Sequence, residues 1–296
     1  MTDKYELIDA EKANYPIVKM CDWIAVSRAG FYDWRAAAAA GPTAAKRRRS
    51  RLTGMVAAAF EASRGTYGAR RVAVVLRHSG ETVSDRLVAE LMAEAGLLAC
   101  QPRPWRTTTR QDPSATGRSD LVGRDFTAAR PGMKLVGDIT YVRTWTGWLY
   151  LATVIDCATR KIIGWSMDTH MRTALLIDAL AMAAGTGTLE KGCIFHSDRG
   201  SQCTSAEFAV ALAGHDMRPS MGRTGICWDN ALAESFFAAL KNELVYRTAF
   251  PTQNHARTAI AEYIEVFYNR NRIHSGLDYR TPAQAEADHH NASKAA

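Results

Sequence analysis

Residues 133–143 and 148–157 are strings of apolar and β-branched side chains, separated by the turn-forming stretch Thr144–Gly147. Lys161–Met167 repeats the pattern, and together the three stretches predict an antiparallel meander. The period then changes. Thr173–Ala184, rich in Ala and Leu, predicts a helix, Cys193–His196 a short strand, Ser205–Ala213 a helix and Met217–Pro219 a last brief strand. Two amphipathic helices follow, over Asp229–Tyr246 and Asn254–Tyr268. Three antiparallel strands followed by alternating helices and strands predict an α/β fold, a mixed five-stranded sheet flanked by helices.

The chain ahead of this region has a helical period only. Ile17, Met20, Ile24 and Val26 suit a short helix, and Ser27 can cap a second one carrying Phe31 and Trp34. Two short helices across a tight turn read equally as a helix-turn-helix or as a hairpin used for packing. Ala36–Ala40 and Gly41-Pro42 end that unit. A long helix is expected from Lys46 to about Ser63, a Gly65–Gly68 turn leads into a helix bearing Arg70 and Arg71, and a third helix runs from about Ser84 to Ala95. Residues 101–132 hold four prolines and many Thr, Ser and Arg, the composition of an extended basic linker. The expected divisions are therefore 1–41, 42–100, 101–132, a catalytic-looking core at 133–250, and a C-terminal helix and tail at 251–296. Trp145, Trp148 and Trp165 are expected in the core.

Charge gives the helical region a role. The 296-residue chain carries a net charge of +7. Residues 1–132 hold 21 Lys/Arg against 14 Asp/Glu, whereas residues 133–296 hold 16 of each, so the surplus lies wholly in the first part. Residues 46–130 alone hold 16 basic and 8 acidic side chains. A basic module joined to a neutral core suggests a polyanion grip attached to an enzyme, and Arg47, Arg48, Arg70 and Arg71 are its candidate DNA contacts. The alternative is a solvated basic surface. No window approaches 18 apolar residues and the charged N-terminus is not a signal peptide, so no membrane span and a cytoplasmic, nucleoid-associated location are expected. The six cysteines form no Cys-x-x-Cys pair and read as reduced thiols.

Three acidic residues stand out. Asp138 lies in the apolar run Leu-Val-Gly-Asp-Ile-Thr-Tyr, where an isolated charge is costly. Asp198 ends a short apolar run and meets a glycine turn. Glu234 lies near the start of the long helix. There are 59 residues between the first two and 35 between the last two. Carboxylates that converge from strand ends and a helix start suit two hard divalent cations and phosphoryl transfer on nucleic acid. Taken singly, each has a plain reading: strand edge, turn former, solvated helix residue. Lys241 lies seven residues after Glu234 on the same helical face. Arg199 and Asn230 read equally as DNA contacts or as turn and cap residues, and His196 as a positioning group or a satisfied core histidine. For Arg272 and His274 the sequence leaves structural and DNA-facing readings open.

The blocks Gly-Asp138-Ile-Thr-Tyr, His196-Ser-Asp198-Arg-Gly-Ser-Gln202 and Trp228-Asp-Asn230-Ala-Leu-Ala-Glu234-Ser-Phe-Phe resemble the catalytic blocks of bacterial insertion-sequence transposases of the frameshifting OrfA/OrfB type. The chain is similar to the OrfB product, within the retroviral integrase superfamily. The segments Val26–Trp34, Tyr67–Arg71 and Tyr268–Pro282 share the likeness, which spans about residues 14–285. It implies an RNase H-like core and a metal-holding D,D,E triad of Asp138, Asp198 and Glu234. It also implies Mg²⁺ as cofactor, with Mn²⁺ as a substitute, and Mg²⁺-dependent cleavage and joining of double-stranded DNA at terminal inverted repeats and target sites. A basic residue at Lys241 near the cut, a multimer on DNA and an OrfA partner or fusion are implied as well. The start at Met1 leaves no room for a long N-terminal coiled coil, which agrees with a partner for end recognition. Cys203 stands where that family carries Tyr. Two other functions fit the same composition: a DNA-binding regulator with an inert core, and an RNase H-type nuclease.

Overall fold

The computed structural model describes residues 1–100, 120–222 and 230–295. The expected sheet is present. Strands β1 (Lys134–Thr144), β2 (Gly147–Asp156) and β3 (Ile162–Asp168) form the antiparallel meander, and β4 (Ile194–Ser197) and β5 (Arg218–Met221) add to it in parallel. The order across the sheet is β3-β2-β1-β4-β5. Because side chains alternate along a strand, each face has its own core. Leu135, Val154 and Phe195 face α7 (Thr173–Gly185) and α9 (Ala206–Gly214). Val136, Val142, Leu149 and Leu151 face α10 (Ala231–Glu243) and α11 (Gln253–Glu262).

The sequence draws a boundary at residue 250, but the packing does not stop there. Ala256 and Ile260 of α11 share the cluster of Phe236 and Leu240. After Glu262 the helix widens to a π-helical stretch, Tyr263–Tyr268, which brings Tyr263, Ile264, Phe267 and Tyr268 into the same cluster. Asn269 then completes the sheet edge: its amide donates to Ile162 O and accepts from Ile162 N, both at 3.0 Å. This lies beside the register shift between β2 and β3. A last helix, α12, spans Pro282–Ala295.

Two of the tryptophans expected in the core are outside it. Trp145 is 77% exposed and Trp148 46%. Both sit at the tip of the β1–β2 hairpin, beyond either core, where Trp148 stands edge-on to Tyr141 at 5.2 Å. Trp165 is half-buried, and its indole N–H donates to Glu265 Oε1 at 2.7 Å.

The front of the chain is all helical. α1 (Thr2–Glu11), α2 (Ile17–Trp23) and α3 (Arg28–Ala40) bury Ile8, Met20, Cys21 and Phe31 together, with Ser27 capping α3. The weakly amphipathic α1 gave no sequence signal. α4 (Ala44–Ala62), α5 (Ala69–His78) and α6 (Asp85–Glu94) form a second unit, with Thr43 and Ser84 as side-chain caps. Its core of Leu52, Val72, Leu76 and Leu91 also takes in Ile273 from the far end of the chain. The proposed linker lies outside the described residues from 101 to 119. Its end is tied to the sheet by Leu121 N–H, which donates to Ser220 Oγ at 2.8 Å.

A polar cluster helps dock the second helical unit on the core, alongside the Arg64–Glu262 ion pair at 2.7 Å and the Arg247 bond to Arg64 O at 2.8 Å. The Tyr67 hydroxyl donates to Asn271 O at 3.0 Å and accepts from Ile273 N at 2.8 Å. Beside it, Arg272 forks onto the Glu243 carboxylate with contacts of 2.7–3.0 Å, and the Tyr263 hydroxyl donates to Glu243 Oε2 at 2.8 Å. Both charged side chains are buried. Removing one partner of a buried pair strands the other, so Glu243→Ala should cost about 3–5 kcal/mol in urea denaturation. A loss under about 1 kcal/mol, the range of an exposed pair, would show that Glu243 does not hold this junction.

Candidate active site between β1, β4 and α10

The parallel register of β1 and β4 ends where Gly137 pairs with Ser197, so Asp138 and Asp198 each directly follow the last paired position. Neighbouring strands lie about 4.8 Å apart. Gly137 makes this closeness possible, since a Cβ there would come within 2.2 Å of the Phe195 ring on β4. Asp138 shares the face of Val136, which packs with Leu232 and Phe236 of α10. It therefore looks toward the helix that carries Glu234 in its first turn and Lys241 in its last.

The electrostatics follow from that placement. Burial, then the charge of Asp198, pushes the Asp138 carboxyl up to about 7, with Glu234 adding to the effect. The Ile139 N–H, donating to Asp138 Oδ1 at 2.7 Å, and the charge of Lys241 act against it. Burial raises Glu234 above its ordinary value and lowers Lys241, while Asp138 opposes the fall at Lys241. Asp198 is exposed at its strand end, where its Oδ1 accepts from Gly200 N at 3.0 Å and from the Cys203 thiol at 3.6 Å. The Cys203 thiol is buried and held above its usual range by that burial and by Asp198. Asp138 thus feels the charge of both other carboxylates. Among the described residues, no three His, Cys, Asp or Glu side chains are drawn close enough to hold a metal ion.

The remaining candidates divide by exposure. Arg47, Arg48 and Arg70 are exposed, although Arg48 also donates to Thr82 O at 2.8 Å. Arg71 is half-buried, 4.0 Å from Glu243 and 5.5 Å from the centre of the Tyr67 ring. Arg199 donates to Gly222 O at 2.9 Å and so ties the Asp198 turn to the end of β5. Asn230 is the N-cap of α10, yet its side chain makes no cap bond, and its buried Oδ1 has no partner among the described residues. Lys241 Nζ lies 5.4 Å from the centre of the Tyr141 ring. His196 is a satisfied core residue: it is buried, bonded through Nδ1 to Ser220 Oγ at 2.9 Å, and edge-on to Phe126. Sequence reasoning missed Tyr141 and Glu243. Tyr141 gave a weak signal by lying three residues past Asp138, and Glu243 gave none, because its partners are about 20 to 30 residues away.

Comparison with known proteins agrees with this architecture. Residues 128–227 and 215–282 match the integrase core domain family, and residues 47–105 match an HTH-like domain. Transposase InsF for insertion sequence IS3A of Escherichia coli (strain K12) is 38% identical over 283 residues, covering 96% of this chain and 98% of that protein. The transposase for insertion sequence element IS904 of Lactococcus lactis subsp. lactis (strain IL1403) is 38% identical over 238 residues, covering 80% and 94%. A simian T-cell lymphotropic virus intasome chain aligns with a TM-score of 0.46 at 16% identity, over 72% of this chain and 69% of that one. With an HTH-like domain ahead of an integrase core, and near-complete coverage of these relatives, the chain belongs to the insertion-sequence transposase family.

Proposed function

We propose that this transposase cuts and joins DNA at insertion-sequence ends with Asp138, Asp198 and Glu234 as its catalytic trio. The observation that supports the reading is the β1–β4 register, which ends at Gly137 and Ser197 and leaves Asp138 and Asp198 as the next residue on each strand, with Asp138 on the face covered by α10. The donor set fits hard divalent cations, since it offers carboxylate oxygens only, and a carboxyl lifted to about 7 marks negative charge in need of a counter-charge. Asp138, Asp198 and Glu234 would hold Mg²⁺, or Mn²⁺ in its place. When bound, the metal supplies charge neutralisation at the scissile phosphate and a more acidic attacking hydroxyl.

The chain's own groups orient the DNA. Lys241 and Asn230 on α10 and Arg199 beside Asp198 would meet phosphates near the cut, and Arg47, Arg48, Arg70 and Arg71 would grip the duplex further out. In the first displacement water breaks a phosphodiester at the element's end and leaves a 3′-hydroxyl. In the second, that oxygen bonds to a target phosphorus and the target's own 3′-oxygen leaves as a hydroxyl. No serine or tyrosine nucleophile takes part. The substrates are the terminal inverted repeats and target DNA. The chain would act on the nucleoid as a multimer with an OrfA-type partner.

Asp138→Asn, Asp198→Asn and Glu234→Gln should each abolish strand transfer in Mg²⁺ while leaving duplex binding intact, as read by joining of labelled end DNA and by gel shift. A variant that joins at the wild-type rate removes its residue from the trio. A wild-type chain that binds but neither nicks nor joins is a regulator instead.

Asp138 also predicts a pH effect on stability. Its folded value lies above the unfolded value, so the contribution is present at low pH and is lost as pH rises from about 4 to about 7. Metal-free wild type should therefore lose thermal stability across that window, and Asp138→Asn should flatten the loss. Above pH 7, Mg²⁺ should raise the melting temperature of wild type more than that of Asp138→Asn. Equal gains would separate the metal from Asp138.

A further inference from the structure

A second polar feature lies on α10, a quarter turn from the carboxylates. Leu232, Ser235 and Ala239 of that helix line a cavity of about 260 Å³. Its other walls are Arg71 from α5, Arg160 from the turn between β2 and β3, and Arg272 with His274 from the last sequence block. Four separate parts of the chain thus meet around it, three of them bringing an arginine. Ser235 directly follows Glu234, and successive helical residues are about 100° apart, so the cavity and the carboxylate share one stretch of helix on adjoining faces.

The cavity's charge is not balanced from within. Glu243 is the carboxylate beside it, and its oxygens are taken by the Arg272 fork and the Tyr263 hydroxyl. Arg71 reaches it only at 4.0 Å. Among the described residues, Arg160 has no ion-pair partner, and the buried Nε2 of His274 has no hydrogen-bond partner. Burial, then Arg272, Arg71 and Arg160, hold the His274 ring down at about 3, so three guanidinium charges are felt at one point. His274 is therefore neutral, and with its hydrogen on Nε2 it is a donor. The hydroxyls of Ser235 and Ser275 complete a lining of donors. Clustered arginines with neutral donors beside them suit a tetrahedral oxyanion.

We propose that this cavity seats one backbone phosphate of the DNA being processed, and so sets the register of that strand along α10. The proposal rests on the reading of the chain as a DNA-cutting enzyme. Arg71 makes the seat a joint product of the HTH-like domain and the core, so a phosphate bound there also tightens their docking.

The test uses the full chain without divalent metal, a fluorescent mixed-sequence DNA duplex and a KCl series. Arg160→Ala should weaken duplex binding about tenfold, the effect of losing one charge-assisted hydrogen bond. It should also lower the slope of log affinity against log salt by about 1. His274→Phe keeps the ring beside Tyr268 but removes the neutral donor, so it should weaken binding at an unchanged slope. Melting temperatures provide the second arm: inorganic phosphate, against chloride at matched ionic strength, should stabilise wild type more than Arg160→Ala. Unchanged affinity and slope in both folded variants overturn the DNA seat. If inorganic phosphate still discriminates the variants in that case, the cavity holds a free anion and not the strand. A wild-type chain that takes no duplex overturns both this proposal and the DNA reading beneath it.

Discussion

The buried carboxylate of Glu243 is the point on which the arrangement turns. It closes the last turn of α10, the helix that carries Glu234 and Lys241, and it is held there by Arg272 and the Tyr263 hydroxyl. A buried ion pair is a weak source of net stability, because desolvation offsets most of the attraction. It is a strong source of position, because few other geometries satisfy both charges. Here it fixes where α10 ends relative to the segment 263–273. That segment in turn receives Tyr67 from the helical unit. The placement of Glu234 and the docking of the HTH-like domain therefore have a common origin.

This also accounts for two sequence blocks that carry no catalytic acid. Tyr67-Gly-Ala-Arg70-Arg71 and Tyr268–His274 are far apart in sequence and meet across the junction, through hydroxyl, backbone and guanidinium contacts. Periodicity cannot reveal such a pairing, since each block alone reads as a turn with basic residues. The strands were legible for the opposite reason: their apolar and β-branched runs are local, and so are the turns between them. Asp138 was legible as a charge in such a run. Its partnership with Asp198 depends on parallel register across a crossover, which the sequence only suggests through element order. Trp145 and Trp148 misled because aromatic content implies burial, whereas a hairpin tip can carry its rings beyond both cores. The division at residue 250 falls between two helices, whereas Phe250 and the π-helical aromatics beyond it belong to the same apolar cluster as α10.

The charges around α10 are sorted by face. Acidic groups gather toward β1 and β4, where their mutual repulsion and burial lift Asp138 toward neutrality. Basic groups gather toward the turn at Arg160 and the last block, where burial, and then their repulsion, holds His274 in its neutral form. Each side is strained by like charge and relieved by what it would bind: cations on one side, an oxyanion on the other. A DNA strand with its accompanying metal ions carries both signs. A protein that keeps the two fields a helix-width apart can orient that strand without their cancelling each other.

Separation of this kind also limits how the site can be assembled. Asp138 feels the charge of both other carboxylates, yet among the described residues no three such side chains are drawn close enough to hold a metal ion. Tight carboxylate clustering in the free protein would raise the repulsion already evident at Asp138. Leaving Asp198 exposed at a strand end, with its loop pinned by Arg199 and the Cys203 thiol, keeps that cost low.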